Sequence, residues 1–310
     1  MHDEKRTFSF SSADQIHTIQ AVTWYPTEQP CRAIIQVSHG MTEYFGRYED
    51  FAHNMTQHGF AVSGHDHLGH KTSVNSDREL GCFAEKDGWK LVIQDLHTHT
   101  MALKKAYPNT PVFLLGHSMG SFIARCYLAQ YSDLLDGGII AGTGGPNPGA
   151  KAGKLLAQCL CRIGKGKEPS PLLQKLAFSS YNSRFEGRTP YDWLTRSTQI
   201  VDQYAADPYC TFLFTASGFQ DLFTLYGLAN DLKTYRAVPK TFPLLIISGG
   251  DDPVGNNGEG PRKVAEMFQQ TGHIDVTLRL YPGGRHEILN ETNRCEVYDG
   301  IAAWVKRRIS

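Results

Sequence analysis

The chain has 310 residues, with 31 Lys+Arg against 31 Asp+Glu, so its formal net charge is zero. Hydrophobic residues make up 41 % and charged residues 20 %, enough apolar material for a sizeable core and far from a disordered composition. A balanced charge gives no long-range pull on polynucleotides, so nucleic acid is not an expected partner.

The first residues, Met-His-Asp-Glu-Lys-Arg, contain no apolar core of a signal peptide. No window reaches the roughly 18 apolar residues of a spanning helix; the richest stretch, Leu155 to Ile163, is broken by Gln158 and Arg162. The seven cysteines are an odd count without disulfide-framework spacing. Cys159 and Cys161 stand two apart, which suits neither a redox C-x-x-C nor a zinc knuckle. The expectation is small apolar residues in a reducing compartment, hence a cytoplasmic protein.

Strand-like and helix-like segments alternate along most of the chain. Ile16 to Trp24, Ala33 to Ser38 and Phe60 to Gly64 read as strands, the last two separated by an amphipathic stretch from Arg47 to His58. Trp89 to Ala106 has helical spacing and stops at Tyr107-Pro108, where proline disfavours continuation. Val112 to Leu115 is a short unbroken apolar run, the pattern of a central strand buried on both faces. A helix over Ser121 to Tyr131 and a strand over Gly137 to Ala141 follow. Gly142-Thr-Gly-Gly-Pro-Asn-Pro-Gly149 then breaks the alternation, and the text stays helical and aromatic to about Pro239. Alternation resumes with Leu244 to Ser248, Arg262 to Gln270, Val276 to Tyr281 and Arg294 to Arg308. The pattern predicts an α/β fold with a mostly parallel central sheet and helices on both faces. Its core spans 1–142 and 240–310, and a helical cap is inserted over 143–239.

Gly116-His117-Ser118-Met119-Gly120 fits G-x-S-x-G, directly follows the buried strand and opens a helix. Glycines two residues either side of the serine let strand and helix approach closely, and a strained turn there lifts the Ser118 hydroxyl clear of the backbone. A serine needs a base, and the base an orienting carboxylate, each just past the carboxyl end of a later strand. His286 follows the strand ending at Tyr281, and Asp251 and Asp252 both follow Leu244 to Ser248; Asp252 is preferred, with Asp251 in reserve. His273 precedes the last strand, at the wrong end of the sheet, and is expected at the surface. Two backbone N–H groups should stabilise an oxyanion, those of Met119 and Met41, with His39, Gly40, Gly116, His117 and Gly120 as supporting loop residues.

These residues resemble the monoacylglycerol lipase and lysophospholipase branch of the α/β-hydrolase superfamily, also classed as serine aminopeptidase S33-like hydrolases. The matching segments are V-S-H-G-M-T-E-Y-F-G-R-Y (37–48), G-H-D-H-L-G-H (64–70), G-H-S-M-G-S (116–121), S-G-G-D-D-P-V-G (248–255) and Y-P-G-G-R-H-E (281–287). The resemblance implies an α/β-hydrolase fold, with Ser118 as nucleophile, Asp252 rather than Asp251 as acid and His286 as base. It also implies hydrolysis of glycerol or lysophospholipid esters with neither metal nor organic cofactor.

His65, Asp66, His67 and His70 form a dense cluster of metal-ligand types, but with no second ligand group they are expected to support a loop near the site entrance. Lys151 to Lys167 carries five basic and no acidic residues around an apolar block. It is either a solvated cap helix or a patch drawn transiently to an anionic membrane surface. Phe178, Tyr181, Phe185, Trp193, Phe212, Phe214 and Phe219 are candidates to line an acyl pocket or to form the cap's own core. Two other functions stand beside the lipid-ester reading. One is an aminopeptidase of the same fold, which would need a cap carboxylate such as Glu186, Asp192 or Asp207 for the substrate ammonium; the other is a non-catalytic binding protein.

Overall fold

The computed structural model describes residues 3–309. Eight strands form one sheet in the order β1-β2-β4-β3-β5-β6-β7-β8. They are β1 (Asp3–Ser11), β2 (Thr18–Pro26), β3 (Ala33–Ser38), β4 (Phe60–His65), β5 (Val112–His117), β6 (Gly137–Ala141), β7 (Leu244–Gly249) and β8 (Val276–Tyr281). Strand β2 pairs antiparallel with β1 and β4, and all later neighbours run parallel. This is the α/β-hydrolase arrangement. The second strand starts at Thr18 rather than Ile16 because residues 12–17 form a turn held by Ser12 and Asp14, leaving Ile16 exposed.

Parallel central strands must be covered on both faces, and alternate residues sort accordingly. Ile35, Phe113, Leu115, Ile139, Leu245 and Ile247 point to one side, against α1 (Glu49–Gln57) and α11 (Arg294–Lys306). Ile34, Leu114, Ile140, Leu244 and Ile246 point to the other, against α2 (Gly88–Ala106), α3 (Met119–Tyr131) and α10 (Glu259–Gln270). Each such fully buried side chain contributes roughly 1.5–3 kcal/mol.

Residues 142–239 lie between β6 and β7 and carry six α-helices: α4 (Gly149–Leu160), α5 (Pro171–Phe178), α6 (Thr198–Ala206), α7 (Pro208–Thr211), α8 (Ala216–Ala229) and α9 (Leu232–Ala237). Helix α8 packs on α3 and α4, so this segment's apolar residues join the core on that side of the sheet. Buried Arg125 of α3 ties its roots together. It donates to Thr143 Oγ1 and Gly144 O at one end, and to Ala229 O, Asn230 Oδ1 and the Tyr235 hydroxyl at the other. His273 precedes the amino end of β8, but it is buried rather than at the surface, because its ring nitrogens meet the carbonyls of Phe268 and Val238.

Candidate active site

The carboxyl ends of β3, β5, β7 and β8 bring the candidate residues to one place. Ser118, between β5 and α3, has φ +53° and ψ −119°. This conformation costs a non-glycine residue about 1–3 kcal/mol. The surroundings hold it: Ser118 N–H donates to Ala141 O at 3.0 Å, and Ser118 O accepts the N–H and hydroxyl of Ser121. The two glycines of the turn have no room for a side chain. A Cβ on Gly116 would lie 2.3 Å from Gly120 O, and one on Gly120 would lie 2.0 Å from Ser38 O.

Ser118 Oγ is 2.9 Å from His286 Nε2, and His286 Nδ1 is 3.0 Å from Asp252 Oδ1. Asp252 is buried; it also accepts Val254 N–H at 2.9 Å and the Ser248 hydroxyl at 3.2 Å. Burial opposes its ionisation, but the charge and hydrogen bond of His286 outweigh this and hold the carboxyl below its ordinary value. Asp251 is exposed, and among the described residues it makes no hydrogen bond to the histidine. The chain Ser118–His286–Asp252 can pass a hydroxyl proton to imidazole while the carboxylate stabilises the resulting cation.

Met41 and Met119 both line the cavity above Ser118, and Met119 is the first residue of α3, where N–H groups have no intrahelical acceptor. The peptide joining Gly40 to Met41 is oriented by His39. His39 Nε2 accepts the His67 N–H at 2.9 Å, so the ring proton sits on Nδ1 and is donated to Gly40 O at 2.8 Å. Carbonyl and N–H point opposite ways across a trans peptide, so the Met41 N–H faces away from His39.

His65, Asp66, His67 and His70 are all buried. Asp66 accepts Phe45 N–H and the Thr72 hydroxyl, His67 Nε2 meets Ser38 Oγ at 2.9 Å, and His67 stacks near His39. Burial first, then neighbouring imidazoles, drives His65 and His67 far below the ordinary value; burial pushes His70 and His99 down to about 3. Among the described residues no group of three or more His, Cys, Asp or Glu is arranged to hold a metal ion.

The cavity has a volume of about 790 Å³. Its lining includes Thr42, Tyr204 and Glu287 as well as Leu156, Leu173, Phe178, Phe212 and Phe223. Of the aromatic residues expected around it, Phe178, Tyr181, Trp193 and Phe212 line it. Phe214 and Phe219 do not, being fully buried in the packing of α8, and Phe185 instead stacks under the Arg285 guanidinium. The three carboxylates considered for a substrate ammonium are committed elsewhere. Glu186 pairs with Arg285, Asp192 accepts the N–H groups of Arg188 and Thr189, and Asp207 caps α7 while accepting the Tyr44 hydroxyl.

His117, expected as a supporting loop residue, belongs to a second polar set beside the serine with Glu43, Arg47 and Glu287, three residues whose part the sequence did not show. Arg47 donates to both carboxylates, in bidentate fashion to Glu287 at 2.5 and 2.7 Å. Only the adjacency of Glu287 to the histidine and the i,i+4 spacing of Glu43 and Arg47 hinted at it.

The chain is similar to known proteins over most of its length. Residues 29–293 match the family model described as serine aminopeptidase, S33. Human monoglyceride lipase is 30 % identical over 301 residues, covering 92 % of this chain and 86 % of its own. A monoacylglycerol lipase from Mycolicibacterium smegmatis is 27 % identical over 300 residues, covering 96 % and 95 %. A thermostable carboxyl esterase from Bacillus coagulans, solved in complex with glycerol, superposes with a TM-score of 0.92 at 32 % identity over 99 % of both chains.

Proposed function

The chain belongs to the serine aminopeptidase S33 family of α/β-hydrolases, and from that premise we propose that it is a serine carboxylic-ester hydrolase acting on monoacylglycerol- or lysophospholipid-like esters. The observation that carries this reading is the 2.9 Å approach of His286 Nε2 to Ser118 Oγ at the wall of a large, mostly apolar cavity. Ser118 attacks the ester carbonyl while His286 takes its proton, and Asp252 holds the imidazole tautomer. The oxyanion is received by the Met41 and Met119 N–H groups. His286 then protonates the leaving alcohol, and water repeats the sequence on the acyl-enzyme to release the acid. No cofactor enters these steps.

Residues 143–239 act as the cap that selects the acyl chain. The cap also supports contact with an anionic membrane surface. Leu155, Ile163, Leu172 and Leu176 are 52 to 68 % exposed, beside Lys151, Lys154, Arg162 and Lys165. Lys167 instead pairs with Glu85. Glutamine at those four cations should weaken binding to phosphatidylserine vesicles and leave hydrolysis of a soluble ester intact; unchanged vesicle binding would end this part of the proposal. All seven cysteines are unpaired, and no helix among the described residues is long and apolar enough to cross a membrane. The free thiols support a cytoplasmic setting.

The test of the whole reading is purified protein beside Ser118→Ala, on p-nitrophenyl esters of short and long acids, monoacylglycerol, lysophosphatidylcholine and aminoacyl-naphthylamides. Serine-dependent ester release, strongest with long chains, is expected. Amide release without ester preference would favour the peptidase, against which stand the committed cap carboxylates. Silence across the panel would leave the binding protein.

A further inference from the structure

Glu43 lies three residues beyond Gly40 and is 3 % exposed. Its Oε1 accepts the Gly40 N–H at 2.5 Å, the Tyr48 hydroxyl at 2.9 Å and His117 Nδ1 at 3.0 Å, while Oε2 accepts from Arg47 at 3.2 Å. Four donors on one carboxylate fix both its charge and its place. Burial would raise this carboxyl, but His117 and then Arg47 hold it far below the ordinary range.

His117 is sandwiched between two acceptors. Nδ1 faces the Glu43 carboxylate, and Nε2 lies 3.3 Å from the backbone carbonyl of His286. Neither oxygen has a proton to give, so both ring nitrogens can donate only when the ring is an imidazolium. Burial works against that charge and Glu43 overcomes it, raising His117 above its ordinary value. A neutral ring could keep only one of the two bonds and would turn a lone pair toward the other oxygen. With an imidazolium at His117, the pairs to Arg47 and Glu287 bring the four groups to zero net charge. Gly142 completes the contact: at φ +56° it packs so closely that a Cβ would lie 3.2 Å from both His117 Nε2 and His286 O.

We propose that Glu43 and His117 are positioning residues of the reaction, one buried ion pair that sets both the Gly40 backbone of the oxyanion loop and the carbonyl of the base residue His286. The proposal rests on the reading of Ser118 and His286 as the reacting pair. The two jobs meet at one carboxylate, so the donor wall and the base move together or not at all. Besides Glu43, the titratable groups around the His117 ring are His39, Glu287, His286 and Asp252.

The test uses the full chain with p-nitrophenyl butyrate, Ser118→Ala as control, and ¹⁵N-histidine NMR. Glu43→Gln keeps the shape and an acceptor but removes the charge. Its kcat is expected to fall about 30- to 100-fold with KM within about threefold. In wild type both His117 ring nitrogens should carry protons at neutral pH, and one of them should be lost in Glu43→Gln. His117→Gln should cost a similar factor, and the double variant little more than either single one. A role confined to stability would lower Tm and leave the kcat of the folded fraction unchanged. An active wild type whose folded Glu43→Gln variant keeps kcat within about threefold, or whose His117 is singly protonated, would overturn the proposal alone. No serine-dependent turnover in wild type would overturn the catalytic reading and the proposal with it. If Glu43→Gln does not fold, His117→Gln and the wild-type spectrum decide.

Discussion

Arg285, the residue before the candidate base, donates from its guanidinium to the backbone carbonyl of Asp192 at 2.6 Å. The same side chain reaches Thr195 O and Glu186. Next to it the main chain repeats the tie, with His286 N–H on Trp193 O and Glu287 N–H on Leu194 O at 2.7 Å. Glu291 closes the clip by accepting the N–H groups of Arg285 and Arg196. The base loop and cap residues 186–196 therefore form one unit. Arg285→Met keeps an apolar stem over Phe185 but removes hydrogen bonds worth about 1.5–3 kcal/mol. Ester turnover should drop about tenfold and amide exchange over 186–196 should accelerate. Unchanged exchange there would show that the main-chain pairing holds the cap without the guanidinium.

Gly120 tests the turn itself. With Ser38 O at 2.0 Å from its would-be Cβ, Gly120→Ala must push α3 off β3. A loss of about 3 kcal/mol or more is expected in urea unfolding, along with loss of activity. Little loss would mean that the approach of helix to strand is softer than drawn.

The pH dependence of stability has two opposing sources. His65, His67, His70 and His99 are buried with folded-state values below the ordinary one, so the stability they contribute is present above about pH 6.5 and is lost as pH falls. Asp221 of α8, set against the first N–H groups of α2, is raised by burial to about 7. For a raised carboxyl the sign reverses: its contribution is complete below the unfolded value and disappears as pH rises through about 7. Asp221→Asn should therefore stabilise the protein at pH 8 by roughly 1–3 kcal/mol and make little difference near pH 4. Urea midpoints across that range would check it; an equal gain at both ends would contradict the assignment to ionisation.

The cavity wall offers a test of chain-length selection. Leu156 lines the cavity and is only partly buried, so Leu156→Trp fills space at little cost to the core. Long-chain p-nitrophenyl esters should lose about tenfold in kcat/KM while butyrate changes little. Parallel loss on both substrates would move the acyl site elsewhere.

The sheet and the three candidate reacting residues were readable from sequence because each sits where local pattern is strong. A buried run enters G-x-S-x-G, and aspartate and histidine follow the last two strands. The set beside the serine was not, since Glu43 and Arg47 four apart look like any surface ion pair and Arg47 meets Glu287 across 240 positions. Composition alone could not separate Phe178, which faces the cavity, from Phe214 and Phe219, which face the helices. His273 was misjudged for a related reason: two carbonyls contributed by distant turns make burial of its ring affordable.

Helix α5 has one further consequence. Leu172 and Leu176 are exposed on it, while Leu173 between them is buried in the cavity wall, and Leu176 itself reaches the cavity. A helix with its side chains is about 10–12 Å across. With the cap seated on lipid as proposed, this single partition separates hydrocarbon from hydrocarbon. An acyl chain would then reach Ser118 by exchanging one oily phase for another, never crossing water, so the supply of substrate would follow its concentration in the bilayer rather than its solubility.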